Sequence, residues 1–180
     1  MAYYKRQLAT RNLGIHNLAN NDATMFMWHE GLASHGASEI GLCIWKFVCD
    51  KLQEGATHTA AFCDSCAEGG GKANRNFKIA SLLWHCVTTL SVESFTVHYM
   101  QSGHSYLPND ADFGVIEKAK KSGKEMYITR QWMELVRHTC KQKPFTVVEM
   151  QSSDFVDLSL NAKQLINREK SNRWIYSQVV

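Results

Sequence analysis

The chain has 180 residues, of which 44% are hydrophobic and 21% charged, and its formal net charge at pH 7 is +3. This composition excludes a fibrous or disordered protein, and the length fits a single domain spanning residues 1–180. No apolar run approaches the roughly 18 residues of a transmembrane helix, and the first residues do not resemble a secretory signal, so we expect a nuclear or cytoplasmic protein with no membrane partner.

The chain begins with a predicted β-hairpin. Arg6–Leu18 and Ala23–Trp28 both carry apolar residues in patterns typical of strands. Asn20-Asn21-Asp22 lies between them and supplies residues that favour a turn. We therefore expect the two strands to pair with each other.

Helices and strands then alternate along the rest of the chain. The helices are identified by apolar residues at helical spacing and by their end signals, and the strands by short apolar or alternating runs. In chain order the predictions are a helix over Ser38–Leu52, a strand at His58–Cys63, a helix within Asn74–Leu90, a strand at Ser94–Met100, a helix beginning near Pro108, a helix over Arg130–Cys140, and strands at Phe145–Met150 and Trp174–Tyr176.

This order predicts an α/β fold with a mixed sheet flanked by helices. A hairpin followed by alternating helices and strands is compatible with a ribonuclease-H-like sheet, although many α/β domains share the pattern. In that fold the hairpin strands, His58–Cys63 and Ser94–Met100 lie in one sheet. The tryptophans Trp28, Trp45 and Trp84 stand in apolar segments and are predicted to belong to the core.

Two segments place acidic residues where an α/β protein can use them. Asp64 follows the predicted strand His58–Cys63, and catalytic groups of α/β sheets tend to lie beyond the carboxyl ends of strands. Downstream, His104, Asp110, Asp112 and Glu117 surround a predicted helix start. Together these residues suit a site for Mg²⁺ or Mn²⁺, which prefer oxygen ligands, in metal-dependent phosphoryl transfer.

Each of these residues also has a purely structural interpretation. Asp64 suits a turn cap, Asp110 and Asp112 complement the dipole of a helix start, and His104 can hydrogen-bond its own loop. Lysines 118, 120, 121 and 124 form a basic cluster, which is typical either of a solvated helix face or of a nucleic-acid contact.

Several motifs, in this order, are shared with one family. They are Leu13-Gly14-Ile15-His16-Asn17, Met27-Trp28-His29-Glu30, Gly36-x-x-Glu39-Ile40, Cys63-Asp64-Ser65-Cys66, Lys72-x-Asn74-Arg75-Asn76, and Gly103-His104-Ser105 followed by Asp112-Phe113-Gly114-x-Ile116-Glu117. Across roughly Tyr4 to Ser159 the chain resembles a transposon-associated domain of unknown function, abundant in arthropod and other animal genomes. That family in turn resembles ribonuclease-H-like transposases and integrases.

The resemblance implies a set of site residues. Such enzymes carry one aspartate on the first strand, a second at the end of the fourth strand and a third acid on a later helix. The corresponding positions are Asn17, Asp64 and Asp112, with His104 nearby. In addition to these positions, we expect Glu39 or Glu117 to supply a further acid. The bound ion would be Mg²⁺ or Mn²⁺.

One departure from the family pattern bears on activity. Family members usually read Gly-Ile-His-Asp where this chain has Gly14-Ile15-His16-Asn17. Because asparagine is neutral, a metal site built on this position loses a charge and binds divalent ions weakly.

Two functions follow as expectations. The first is a mobile-element-derived domain that cuts or joins nucleic-acid phosphodiesters, DNA rather than RNA, with catalysis weakened by Asn17. The second is an inactive, domesticated module in a chromatin or host-defence protein, which binds nucleic acid, a protein partner or a second copy of itself.

Overall fold

The computed structural model describes residues 8–51, 56–64, 76–90, 92–100, 106–122, 126–159 and 162. The predicted strand at Trp174–Tyr176 and the predicted site residue His104 lie outside these residues. In chain order, the described elements are β1 (Thr10–Asn17), β2 (Asp22–His29), α1 (Ala37–Lys51), β3 (His58–Cys63), α2 (Phe77–Thr89), β4 (Ser94–Tyr99), α3 (Pro108–Ser122), α4 (Thr129–Thr139), β5 (Thr146–Glu149) and a short 3₁₀ turn (Ser152–Asp154).

The predicted hairpin is confirmed. β1 and β2 pair antiparallel, from Thr10 opposite His29 to Asn17 opposite Asp22. In the connecting turn Asn21 has φ 60°, a left-handed conformation that asparagine tolerates better than most residues. The turn chemistry of the sequence therefore sets the register of the two strands.

The strand pairing elsewhere corrects the single-sheet prediction. β5 joins the free edge of β2 in parallel, which gives a three-stranded sheet in the order β1-β2-β5. β3 and β4 form a separate two-stranded parallel sheet, connected through α2. The mixed α/β class is confirmed, but the predicted placement of the first four strands in one sheet is wrong for the described residues, because β2 takes its second neighbour from near the end of the described chain.

The core is built on both faces of β2. Met25 and Met27 point to one face and Phe26 and Trp28 to the other, as strand alternation requires. On the first face lie the helices α3 and α4, and on the second lies α1. Their contributions are Ile116, Met133 and Val136 on the first face, and Cys43 with the partly buried Phe47 on the second.

The tryptophan prediction holds only in part. Trp28 is fully buried and Trp45 partly so, but 60% of Trp84 is exposed on α2. Ile79 and Leu83 of α2 instead face Ile40 of α1, which leaves Trp84 on the outer side. None of the described helices is long and apolar enough to cross a membrane.

Candidate functional site

Asp64 and Asp112 occupy the local positions that the sequence predicts. Asp64 follows Cys63, the last residue of β3, and is partly buried. Asp112 lies in the second turn of α3 and is also partly buried. The approach of the two carboxylates to a shared metal pair remains a prediction.

The first half of α3 lies directly on β1. The amide of Asn109 donates a 2.8 Å hydrogen bond from Nδ2 to the backbone oxygen of Gly14. A Cβ atom at Gly14 would come within 3.1 Å of both the Phe113 ring and the Met25 sulfur. Gly14 is therefore the position at which β1 accepts the close approach of α3.

This contact brings Asp112 to a histidine 96 residues earlier in the chain. Nδ1 of His16 lies 2.7 Å from Oδ2 of Asp112, and Nε2 lies 2.7 Å from Oδ1 of Asn21. Only 10% of the His16 side chain and 15% of the Asp112 side chain are exposed. Both ring nitrogens thus face acceptor oxygens, which suits a doubly protonated imidazolium.

The electrostatics agree with that protonation state. Burial by itself lowers the pKa of His16, but the hydrogen bonds to Asp112 and Asn21 and the negative charge of Asp112 outweigh it, so the pKa of His16 is raised. The positive charge of Lys143 opposes the rise. The contact with Asp112 therefore favours the protonated, cationic form of His16.

Asn17 stands apart from this pair. Its side-chain oxygen accepts a 3.0 Å hydrogen bond from the backbone N–H of Ala19 and so closes the start of the hairpin turn. Successive residues of a strand point to opposite faces. β1 therefore directs Asn17 and His16 to different sides of the sheet.

Glu39 is engaged at the beginning of α1. Oε2 accepts a 3.0 Å hydrogen bond from the backbone N–H of Gly36, and Oε1 accepts a 2.9 Å hydrogen bond from the hydroxyl of Ser34. A carboxylate in this position satisfies N–H and O–H donors at a helix start and complements the helix dipole. Its described contacts thus give Glu39 a helix-capping role.

Glu117, the other predicted acid, is exposed on α3.

The divalent-metal site remains a prediction, since His104 lies outside the described residues and three other predicted ligands already have hydrogen-bond partners. Among the described residues no three His, Cys, Asp or Glu side chains are grouped so that they could hold a metal ion. Asp112 pairs with His16, Asn17 closes a turn, and Glu39 caps α1. Binding of Mg²⁺ or Mn²⁺ at these residues would therefore compete with their existing hydrogen bonds.

The prediction from sequence missed His16 as the partner of Asp112. Two local signals point to it: Gly14 and His16 share a face of β1, and Asn109 and Asp112 share a face of α3 at a spacing of three residues. Nothing in the sequence indicates that these two faces meet.

No protein-family model, curated protein or solved structure matches the chain.

Proposed function

We propose that the chain is a ribonuclease-H-like domain, derived from a mobile element, that binds nucleic acid and has little or no metal-dependent cleavage activity. The observation that carries the proposal is the 2.7 Å contact between His16 and Asp112. Mg²⁺ and Mn²⁺ are held by charged oxygen ligands. When His16 is protonated, the Asp112 carboxylate is paired with a positive charge, and such a carboxylate attracts a metal ion poorly.

The contacts of two other predicted ligands, Asn17 and Glu39, support this proposal. Asn17 contributes no charge, and both oxygens of the Glu39 carboxylate accept hydrogen bonds at the start of α1. A site that relied on these residues would have to break existing interactions before it bound an ion. The net charge of +3 permits nucleic-acid binding, and the resemblance to transposases and integrases favours DNA as the partner.

The second candidate function is an active nuclease or transposase that uses Mg²⁺ or Mn²⁺. The observation in its favour is Asp64, a partly buried carboxylate at the carboxyl end of the parallel strand β3. Open α/β sheets carry their ligands beyond such strand ends. In this alternative Asp64 and Asp112 hold the ion, with His104 and Glu117 nearby.

Titration calorimetry with Mn²⁺ on the parent protein and on the Asn17→Asp variant distinguishes the weakened domain from the active nuclease. Aspartate keeps the oxygen that accepts the hydrogen bond from Ala19, so the turn should remain intact. Loss of even an outer-shell partner changes metal affinity by about 10- to 100-fold, so a restored direct ligand should raise Mn²⁺ affinity by at least about tenfold. We expect weak Mn²⁺ binding by the parent. Tighter binding by the variant is expected only if position 17 is a lost ligand, because β1 directs residue 17 away from the side of the sheet that holds His16 and Asp112.

Asp64→Asn serves as the companion variant. If Asp64 is a ligand, the substitution removes whatever Mn²⁺ binding the parent retains. Equal affinity in the parent and in Asn17→Asp would show that position 17 is not a lost ligand. Strong Mn²⁺-dependent cleavage of DNA by the parent would favour the active enzyme.

A further inference from the structure

The positive charge of this chain is concentrated in one segment. From Lys118 to Lys143 the sequence holds eight Lys and Arg and two Glu, whereas the remaining residues hold 12 Lys and Arg and 15 Asp and Glu. The segment is thus strongly basic, while the rest of the chain is slightly acidic. The net charge of +3 for the whole chain does not show this uneven distribution of basic and acidic residues.

The described part of the segment lies largely on the packed helices α3 and α4, and its exposed surface is here called the α3–α4 face. The two helices pack against each other, and the ammonium of Lys120 lies 5.0 Å from the centre of the Trp132 ring. Every basic residue of the segment that the structure describes is exposed. These residues are Lys118, Lys120, Lys121, Arg130, Arg137, Lys141 and Lys143.

Most of this charge is not compensated by ion pairs. Arg130 meets Glu134 at 3.7 Å in an exposed pair, and Lys143 meets Asp22 at 3.2 Å. Such surface pairs contribute little. Among the described residues, Lys118, Lys121, Arg137 and Lys141 have no acidic partner within 4.0 Å.

The spacing of the basic residues on α4 suits a partner with regularly repeated negative charges. Arg130 and Arg137 stand seven residues apart, which places them on the same side of the helix, about 10.5 Å apart along its axis. Lys141 follows four residues later, just beyond the end of the helix. Double-stranded DNA carries one negative charge per roughly 1.7 Å of its axis, so a face of this length meets several phosphates.

We propose that the α3–α4 face binds the phosphate backbone of double-stranded DNA without reading its sequence. The proposal rests on the nucleic-acid binding proposed above and assigns its location. Single-stranded DNA is bound through aromatic rings on which bases stack, but the indole of Trp132 is covered by Lys120. Tyr127, exposed just before α4, would favour the single strand, and the experiment separates the two forms.

The test measures binding of the full chain to a fluorescent DNA duplex at a series of salt concentrations. Each phosphate contact contributes about −0.9 to the slope of log affinity against log salt. The variant Arg137→Gln/Lys141→Gln should therefore flatten the slope by about 1.8 and weaken binding at low salt. Both residues are exposed, so the far-ultraviolet circular dichroism and the melting curve should match those of the parent.

Lys51→Glu is the matched control. Lys51 is exposed at the end of α1, and its replacement by glutamate changes the net charge by the same amount as the double variant. The control should keep the salt slope of the parent. A second double variant, Lys118→Gln/Lys121→Gln on α3, should flatten the slope as the first does.

The results that would contradict the proposal can be told apart. Equal effects of Lys51→Glu and the double variants would mean that net charge, and not this face, governs binding. An unchanged slope in both double variants, with the parent still bound to DNA, would overturn the location and leave the proposed function standing. Tighter binding of single-stranded DNA would overturn the choice of duplex. A parent that binds neither form would overturn the proposed function as well.

Discussion

At the scale of single residues, the hydrogen bond between His16 and Asp112 joins two titratable side chains from distant parts of the chain. Two hydrogen bonds of 2.7 Å hold the imidazole between a carboxylate and the amide of Asn21. Burial works against the charged ring, and the partners reverse that effect. The pair therefore links the hairpin to α3 most strongly when His16 carries its proton.

This contact predicts a definite pH dependence of stability. Because the folded state raises the pKa of His16 above 6.5, the stabilisation is fully present below 6.5 and is lost as the pH rises through the raised value. We expect His16→Asn to lower the free energy of unfolding by about 2 kcal/mol at low pH and by less at high pH. Urea unfolding at about pH 5.5 and about pH 8 measures both differences.

Asp112→Asn provides the control for this titration. It removes the charge that raises the pKa of His16 but keeps a side-chain oxygen in place. In this background the additional effect of His16→Asn should be smaller at low pH. A loss on His16→Asn that is equal at both pH values would contradict the protonated pair.

At the scale of elements, the packing of α3 on β1 depends on the absence of a side chain at Gly14. The Phe113 ring and the Met25 sulfur occupy the space that a Cβ atom would enter. Interiors are close-packed, so even one added methyl group is felt. The second glycine of interest, Gly114, lies within α3 and has no atom within 4 Å of the place where its Cβ would stand.

Replacement by alanine is expected to change the stability of the protein in opposite directions at these two glycines. Gly14→Ala should destabilise the protein by about 1–3 kcal/mol through overpacking against Phe113 and Met25. Gly114→Ala should stabilise it by about 0.5–1 kcal/mol because alanine restricts the unfolded chain and favours the helix. Chemical denaturation measures both changes, and a stabilising Gly14→Ala would show that α3 lies farther from β1.

At the scale of the whole molecule, β2 is the element around which the layers assemble. Helices cover both of its faces, and strands flank both of its edges. Trp28 is buried on the α1 side, where its indole N–H donates a 3.0 Å hydrogen bond to the backbone oxygen of Ser34 and its ring packs near His35 and Phe155. Trp84, by contrast, lies on the outer side of α2.

This architecture predicts unequal roles for two tryptophans. Trp28→Ala should cost about 3–5 kcal/mol because it leaves a cavity in the core and removes the donor to Ser34. Trp84→Ala should change stability by no more than about 1 kcal/mol, since most of the side chain is already exposed. Guanidinium unfolding compares them, and similar losses would contradict the placement of Trp84 on the outer surface.

Features set by neighbouring residues could be read from the sequence. The strand His58–Cys63 has the predicted bounds, the hairpin forms around Asn20-Asn21-Asp22, and Asp64 and Asp112 stand at a strand end and in an early helix turn. Alternation, helical spacing and turn chemistry act over a few residues, so the local sequence contains what is needed to predict them.

Which surfaces meet was decided only in the tertiary structure. The pairing of β5 with β2, the separation of β3 and β4 into their own sheet, and the exposure of Trp84 all follow from packing between distant elements. The same holds for His16 and Asp112, which are 96 residues apart. Contacts of this kind depend on the combined burial of many side chains, and the periodicity of one segment does not identify the segment that will cover it.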